Sequence, residues 1–328
     1  MSRLISFFTF KLHSFTRWRL GLAAVFVVLI LGLWQNFRLP KELLPMTPRR
    51  ALGAAVLNGQ VYAVGGWNGA ATQLNLVEVL DPATGAWTIA PSLQVARSQH
   101  AVIAADEKLW VVGGWSAEEG LVAAVERFSP AQRTWEIVTH LPTPRREPGV
   151  SLWQRQLVVA GGFNGSSDAD LDGYSDRVEA YDLDSGTWQR LAHLGVPRRG
   201  LALVSVQDRL FAIGGYTAED GFTNVVEGYD SAGKRWVIRS WPLTPRTWAA
   251  AAVVDGSILI AGGYNQEGVL GLVERVDPRT DQICWPPPLE TPRAWFAVVP
   301  TSAGMLALGG EFPTGFIGTV ERIGIECK

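Results

Sequence analysis

The chain is poor in the residues on which many enzymes depend, since its 328 residues include only four histidines and two cysteines. It contains no Gly-x-Ser-x-Gly turn, no His-Glu-x-x-His zinc motif and no phosphate-binding glycine loop. Excess positive charge is also lacking: the formal net charge is -2, and residues 49–328 contain no basic run. Nucleic acid is therefore not expected as a partner, because phosphate binding needs a basic surface.

Glycine, by contrast, is abundant and regularly placed. Six Gly-Gly doublets recur every 47 to 53 residues, and each ends a short apolar run such as VYAV or LWVV. The doublets are Gly65-Gly66, Gly113-Gly114, Gly161-Gly162, Gly214-Gly215, Gly262-Gly263 and Gly309-Gly310. Self-similarity at such a period is typical of a repeat protein.

Two other residue types recur together with the doublets. An arginine lies 16 positions before each one, and a Val-Glu pair follows each. The arginines are Arg49, Arg97, Arg145, Arg198, Arg246 and Arg293, and the glutamates are Glu78, Glu126, Glu179, Glu227, Glu274 and Glu321. Because every repeat has both, we interpret them as a structural network of charges and hydrogen bonds.

Each repeat also has four short strand signals separated by turn residues, for example ALGAAVLN, VYAVGG, LVEVLD and WTIAP. Four short antiparallel strands make one propeller blade. The pattern of Pro-Arg, Gly-Gly, Val-Glu, a turn and tryptophan resembles the kelch repeat over residues 49–328. The resemblance implies an all-β, six-bladed kelch-type β-propeller with four-stranded antiparallel blades.

The last repeat ends after three strand signals. Residues 39–46 are LPKELLPM, and the Leu-Pro-Met-Thr-Pro that precedes Arg49 is similar to the segments that precede Arg145 and Arg246. We expect residues of about 40–47 to complete the last blade. We therefore expect residues 38–48 to be a linker that supplies the outer strand of the last blade. Such closure leaves no open sheet edge at the seam.

An uncharged apolar run, Leu20 to Trp34, lies near the N-terminus, and Trp18 and Phe37 extend it. Its length falls between that of a signal-peptide core and that of a full bilayer span, but no small-residue cleavage site follows. We predict a short basic tail at 1–17 and an uncleaved transmembrane helix at 18–37. Positive charges flank both ends, so the orientation rests on the short basic tail staying in the cytoplasm, with the propeller outside the cytoplasm at the cell membrane.

Two cysteines, Cys284 and Cys327, fall in neighbouring predicted blades. They stand at different offsets from their repeat glutamates, ten against six, and so are not equivalent positions. A disulfide that fastens the C-terminus is one reading, and two free buried thiols is the reading that the unequal offsets favour.

The loops with the arginines and those with the doublets lie on one face of the predicted propeller, because strand two runs back towards the start of strand one. Residues after the doublets are Trp67, Trp115, Phe163, Tyr216, Tyr264 and Glu311, and those two after the arginines include Glu147, Trp248 and Trp295. Tyrosine and tryptophan are frequent in binding hot spots. We predict that these nine residues form a binding surface, although aromatic residues in five of six repeats are also explained by packing within the blade.

The third repeat has a five-residue insertion that matches a twelve-residue calcium loop. The residues that define it are Asp168, Asp170, Asp172, Gly173, Tyr174, Asp176 and Glu179. Carboxylates at positions 1, 3, 5, 9 and 12 and the carbonyl of Tyr174 at position 7 would ligate Ca²⁺. The other reading is a solvated acidic loop in which Glu179 belongs to the structural network.

The sequence thus predicts a membrane-anchored kelch propeller that binds a protein partner or a neighbour in a membrane complex through its loops. The resemblance also covers bacterial propellers that isomerise sialic acid. The alternative is therefore a carbohydrate-binding protein or sugar isomerase, in which Glu147 or Glu311 would act with Arg146 or Arg199. His100, on a predicted innermost strand, is the one histidine that we expect near a pocket.

Overall fold

The computed structural model describes residues 46–167, 170–302 and 304–327, which form a β-propeller of six blades. The predicted tail at 1–17, the predicted membrane helix at 18–37 and most of the linker at 38–48 lie outside the described residues. These three assignments stay predictions. In the part that is described, no helix is long and apolar enough to cross a membrane.

Five blades have four antiparallel strands, and the sixth has three among the described residues. Blade one consists of β1 (Gly53–Leu57), β2 (Gln60–Val64), β3 (Val77–Leu80) and β4 (Trp87–Ala90). Blade two consists of β5 (Ala101–Ala105), β6 (Lys108–Val112), a hairpin of β7 (Trp115–Ser116) and β8 (Gly120–Leu121), β9 (Ala124–Ser129) and β10 (Thr134–His140). Blade three consists of β11 (Gly149–Trp153), β12 (Gln156–Ala160), a 3-10 turn (Leu171–Gly173), β13 (Val178–Asp182) and β14 (Thr187–Arg190).

The remaining blades repeat this order. Blade four consists of β15 (Ala202–Val206), β16 (Arg209–Thr217), β17 (Gly221–Asp230) and β18 (Arg235–Arg239). Blade five consists of β19 (Ala250–Val254), β20 (Ser257–Ala261), a hairpin of β21 (Tyr264–Asn265) and β22 (Gly268–Val269), β23 (Val273–Asp277) and β24 (Gln282–Cys284). Blade six consists of β25 (Ala297–Thr301), β26 (Gly304–Leu308), a hairpin of β27 (Glu311–Phe312) and β28 (Gly315–Phe316), and β29 (Val320–Ile323).

Apolar residues of adjacent blades pack together and hold the ring. The second strand of each blade is buried on both faces, which is why its sequence is a continuous apolar run instead of an alternating one. Six buried clusters lie between successive blades. One of them joins blade six to blade one through Leu306 and Leu308 on one side and Val61 and Ala63 on the other. The ring is therefore closed by a hydrophobic core at the seam.

Backbone hydrogen bonds also cross the seam. We call the six arginines that lie 16 residues before the doublets the scaffold arginines, and the six Val-Glu glutamates the scaffold glutamates. The second glycine of every doublet donates its N–H to the carbonyl of the scaffold arginine in the next blade, and Gly310 does so to Arg49 at 2.9 Å. The Met46 N–H donates a hydrogen bond to the Gly318 carbonyl of blade six at 2.9 Å. The Leu93 N–H donates the equivalent bond to the Asn75 carbonyl within blade one. Most of the segment at 38–48, which we predict to supply the fourth strand of blade six, lies outside the described residues, and this assignment stays a prediction.

The two cysteines form a disulfide, with their Cα atoms 5.9 Å apart. Our preference for two free thiols was therefore wrong. Cys284 ends β24 in blade five, and the tail after β29 returns to that blade, where the Arg275 side chain donates to the Ile325 carbonyl at 3.0 Å. The cysteines occupy different repeat positions because one lies on a strand and the other on this returning tail.

Candidate functional site

The scaffold arginines and glutamates form an ion pair in every blade. In blade two, both side chains are fully buried and Arg97 Nη2 lies 2.7 Å from Glu126 Oε1. Arg97 Nη1 donates to the carbonyl of Gly113, 16 residues later, at 3.1 Å. The same bond recurs in blades three, five and six, and it accounts for the constant spacing in the sequence. Burial lowers the pKa of Arg97, and the charge of Glu126 opposes this effect. The predicted structural role is confirmed.

Two residues after each scaffold arginine, the backbone forms a ring around the central axis. Each of these residues donates its N–H to the equivalent carbonyl of the preceding blade, over 2.7–3.2 Å, and the sixth bond closes the circle. All six have a positive φ of 53–61°. They are Ala51, Gln99, Glu147, Gly200, Trp248 and Trp295. Left-handed backbone is unfavourable for residues other than glycine, so the tertiary structure holds five side chains at the channel mouth against a local cost. We call these six residues the mouth ring.

Glu147 is the buried acid of the mouth ring, with 7% of its surface exposed. Its Oε2 accepts a hydrogen bond from Trp248 Nε1 at 2.8 Å, across the axis from blade five. Its Oε1 lies 3.4 Å from Gln99 Nε2 and 3.7 Å from Arg199 Nη1. The carboxylate is thus held by groups from three other blades.

Trp248 and Trp295 stack at the mouth, with ring centroids 4.1 Å apart and planes at 21°. Their sequence positions break the repeat pattern, which made them candidates for ligand contact. The structure places them together because neighbouring mouth-ring positions are adjacent around the axis. Both are half-buried.

Further aromatic rings continue this stack around the loop face. Successive centroids along the series are 5.0–6.3 Å apart. The series runs through Phe163, Tyr174, Tyr216, Phe222, Tyr264, Trp248 and Trp295. On the far side, Trp67 packs edge-on against Phe316 at 5.5 Å. We call these nine rings the aromatic belt.

The predicted surface residues differ in exposure. Phe163 is fully buried and Tyr264 is 37% exposed. Trp67, Trp115 and Tyr216 are half-buried. Phe163 therefore packs beneath the exposed surface. The guanidinium groups of Arg146 and Arg199 each lie 5.0 Å from its ring centroid. Phe163 is thus explained by packing and Tyr264 is accessible, and the binding surface that we predict for these residues stays a prediction.

Glu311 is ion-paired with Arg50, whose guanidinium lies 4.8 Å from the Trp67 ring centroid. The two acids named for an acid-base role are therefore separated: Glu147 is at the axis and Glu311 is at the rim of the loop face. Arg50 was missed from the sequence, as were Phe222 and Phe316. The signal for Arg50 was an Arg-Arg pair, which also occurs at Arg146 and Arg199.

His100 is the next residue after Gln99 of the mouth ring, and it is 7% exposed. Its Nε2 lies 3.2 Å from the Val64 carbonyl. Burial, assisted by the charge of Arg97, lowers the pKa of His100 to about 3. The side chain is neutral at physiological pH and packed between two blades, which makes it a poor proton donor.

The predicted calcium loop lies between β12 and β13, but Asp168 and Ala169 are outside the described residues. Glu179, the expected twelfth ligand, is ion-paired with Arg145 and accepts a bond from Thr143 at 2.9 Å. Asp170 accepts a bond from the Ser166 N–H at 3.1 Å.

The Asp176 carboxylate lies 3.1 Å from His193 Nδ1. In the described parts of the chain, no three or more His, Cys, Asp or Glu side chains are placed to hold a metal ion. In this arrangement Glu179 is engaged by Arg145 and Asp176 by His193, and calcium binding stays a prediction.

Comparison with known proteins supports the fold. A profile of the Attractin/LZTR1 beta-propeller family matches residues 32–270, more than half of the chain. Kelch-like protein 4 of Homo sapiens is 42% identical over 64 residues, which are 19% of this chain and 8% of that protein. A solved structure titled "Structure of YjhT" superimposes with a TM-score of 0.69 at 19% identity, over 85% of this chain and 95% of that one.

At that identity the structural match concerns the fold alone, and the chain spans less than a tenth of the kelch-like relative. The profile match covers the larger part of the chain, and the six blades carry the arginine, doublet and glutamate pattern throughout. The chain therefore belongs to the Attractin/LZTR1 β-propeller family of kelch-repeat proteins.

Proposed function

We propose that the chain is a membrane-anchored kelch propeller that binds a protein partner through its loop face, outside the cytoplasm. The observation that carries this proposal is the aromatic belt with its mouth ring. Nine aromatic side chains and several arginines meet on one face, and Trp248 and Trp295 remain partly accessible at its centre. Such aromatic and arginine surfaces are typical of protein-binding hot spots.

Rigidity supports a binding role. The mouth ring is fixed by six backbone hydrogen bonds and the Trp248 indole by its bond to Glu147. A surface that is already ordered loses little conformational entropy when a partner binds.

The disulfide supports a location outside the cytoplasm. Disulfides persist in oxidising compartments and are rare in the cytosol. The pair Cys284–Cys327 joins the C-terminal tail to blade five. Together with the apolar segment predicted at 18–37, it favours a propeller held on the outer side of a membrane.

Purification of the tagged full-length protein in a gentle detergent tests the proposal. Size exclusion followed by mass spectrometry should identify a companion in fixed stoichiometry. Trp248→Ala should lose the companion, whereas Trp285→Ala should keep it, because Trp285 is 60% exposed at the outer edge of blade five. A wild-type protein that runs alone, or a companion that survives Trp248→Ala, would contradict binding through the loop face.

The location is tested separately by protease treatment of intact cells that express the protein with a C-terminal tag. External protease should remove the tag without cell lysis. Protection of the tag in cells freed of any outer envelope, until the membrane that holds the protein is itself lysed, would place the propeller in the cytoplasm and would reject that part of the proposal.

One observation favours the alternative function. Glu147 is a buried carboxylate beside two stacked indoles, and indole faces suit sugar rings. If the protein acts on a sugar, Glu147→Gln should abolish anomer interconversion measured by NMR on a panel of free sugars. If it only binds protein, no member of that panel changes rate with wild type.

A further inference from the structure

Gly200, in blade four, is the one glycine of the mouth ring. Its φ of 61° is close to the 53–58° of the other five residues, all of which have a side chain. The left-handed backbone is therefore not what requires glycine here, because five residues with a Cβ atom adopt the same conformation around the axis. What distinguishes Gly200 is the set of atoms that a side chain at this position would meet.

The Trp248 indole of blade five occupies the space beside Gly200. A Cβ atom on Gly200 would lie 2.7 Å from Trp248 Cδ1 and 2.8 Å from Trp248 Nε1. Non-bonded carbon atoms pack at about 3.5–4.0 Å, so the indole could not keep its place beside such an atom. The hydroxyl of Thr247, which is fully buried, would be closer still, at 2.2 Å. Alanine at this position would therefore displace two side chains of blade five.

From this position the indole reaches Glu147. It passes over Gly200, and its Nε1 donates a hydrogen bond to Glu147 Oε2 of blade three at 2.8 Å. The nitrogen that makes this bond is one of the two indole atoms that a Cβ on Gly200 would displace. Trp295 follows Trp248 in the ring and stacks on its indole, with ring centroids 4.1 Å apart. The missing side chain thus determines where both indoles lie.

The position of the two indoles sets what a partner can contact at the centre of the loop face. Both indoles are half-buried, and together with Gly200 and Glu147 they line an axial pocket of about 110 Å³. A tryptophan that changes rotamer freely must lose that freedom when a partner binds. A pair of indoles that is already fixed avoids this cost.

We propose that Gly200 is a positioning residue for partner binding. Because it has no side chain, the Trp248 indole lies across the mouth, where Glu147 holds it and Trp295 stacks on it. A side chain at position 200 turns the indole away from Glu147 and removes the paired indoles from the centre of the loop face. The inference rests on the proposed function and names the residue that places its central contact.

Fluorine NMR of the full-length protein in detergent, labelled with 5-fluorotryptophan, tests the placement without a partner. Substitution of single tryptophans by phenylalanine assigns the resonances of Trp248, Trp295 and the exposed Trp285. Thr247→Ala is the reference background, because it removes the hydroxyl that alanine at position 200 would also displace, together with its hydrogen bond to the Gly200 carbonyl at 3.3 Å. On that background, Gly200→Ala should shift the Trp248 and Trp295 resonances and leave the Trp285 resonance in place.

Gly59→Ala on the same background is the matched control. Gly59 has a φ of 77° in the turn between β1 and β2, and a Cβ atom there would meet no described atom within 4 Å. The control makes the same chemical change at a left-handed position without a steric contact, so the resonances of Trp248 and Trp295 should stay in place. An unmoved Trp248 resonance in Gly200→Ala, or equal shifts in both variants, would overturn the assignment.

A rescue experiment covers the case in which the Gly200→Ala protein does not fold. With Thr247 already replaced by alanine, the indole is the nearest remaining side chain. Adding Trp248→Ala should then restore cooperative unfolding in urea. A triple variant that stays unfolded would overturn the assignment, because the indole would not be the group that requires glycine at position 200.

The companion protein that the proposed function predicts gives a second measurement. Gly200→Ala on the Thr247→Ala background should weaken its binding by at least about tenfold, whereas Gly59→Ala should leave binding unchanged. A displaced indole with undiminished binding would overturn the positioning role. Failure of the proposed function is distinguishable, since the wild-type protein would then run alone, whereas this inference fails when wild type and Gly200→Ala hold the companion equally well.

Discussion

Removing the charge of one buried scaffold glutamate should destabilise the propeller far more than removing the charge of an exposed glutamate outside that set. Glu126 is fully buried and its carboxylate accepts hydrogen bonds from Arg97 at 2.7 Å and from the backbone N–H groups of Gln94 at 2.7 Å and Val95 at 3.1 Å. Glu126→Gln keeps the shape of the side chain but leaves Arg97 charged and uncompensated. Breaking a buried pair in this way costs about 3–5 kcal/mol.

Glu136 provides the control in the same blade. It pairs with Arg127 at 2.6 Å, and its side chain is 55% exposed. An exposed pair contributes about 0–1 kcal/mol, so Glu136→Gln should change stability by no more than that. The two variants make the same chemical change ten residues apart and differ chiefly in burial.

The assay is equilibrium urea unfolding of the full-length variants in one detergent, followed by tryptophan fluorescence. We expect Glu126→Gln to lower the midpoint strongly without changing the slope, because the folded state keeps its buried area. Losses of free energy that agree within about 1 kcal/mol between the two variants would refute the structural role assigned to the ion pairs.

Three further predictions concern pH, the disulfide and calcium. Stability should fall as pH drops below about 6.5 by up to about 1.4 kcal/mol per pH unit, because the unfolded chain then binds a proton that buried His100, with its pKa lowered to about 3, does not. His100→Gln should remove that part of the slope in urea unfolding at several pH values, and an unchanged slope would contradict it. Cys327→Ser should lower stability by up to about 4 kcal/mol, since the bond closes a loop with a sequence separation of 43, and reductant should lower wild type to the level of the variant. Free thiol detected in unreduced, denatured protein would show that the bond is absent. If the Asp168 loop binds Ca²⁺, calcium should raise the unfolding temperature of wild type over that in chelator but not that of Asp172→Asn, and equal temperatures in wild type would reject the site.

Much of the fold was readable from the sequence because the repeat is strict. The constant distance of 16 residues between arginine and doublet reflects one hydrogen bond, seen between Arg97 and Gly113. The glycines are needed because the backbone turns left-handed there and passes close to the next blade: a Cβ on Gly65 would lie 2.6 Å from the Arg97 carbonyl oxygen. Local geometry of this kind leaves a periodic sequence signal.

The candidate site was only partly readable. The sequence placed Trp248, Trp295 and Glu147 on one face, because all three lie two residues after a scaffold arginine. The sequence did not show that the Trp248 indole donates a hydrogen bond to the Glu147 carboxylate, because the two residues are 101 positions apart and meet only when the ring closes. Phe222 and Phe316 were missed because the hairpin position that they share with Leu121 and Val269 is aromatic in only some of the blades, so it gives no periodic aromatic signal.

The sequence by itself therefore determined the blade: its strands, its turns and the buried ion pair that recurs in each repeat, all of which depend on residues close together in the chain. The tertiary structure decided what lies between blades. It brought Cys284 and Cys327 together, joined the Trp248 indole to the Glu147 carboxylate, and closed the mouth ring. Those features depend on which side chains of separate repeats face each other across the axis, and no local spacing encodes that.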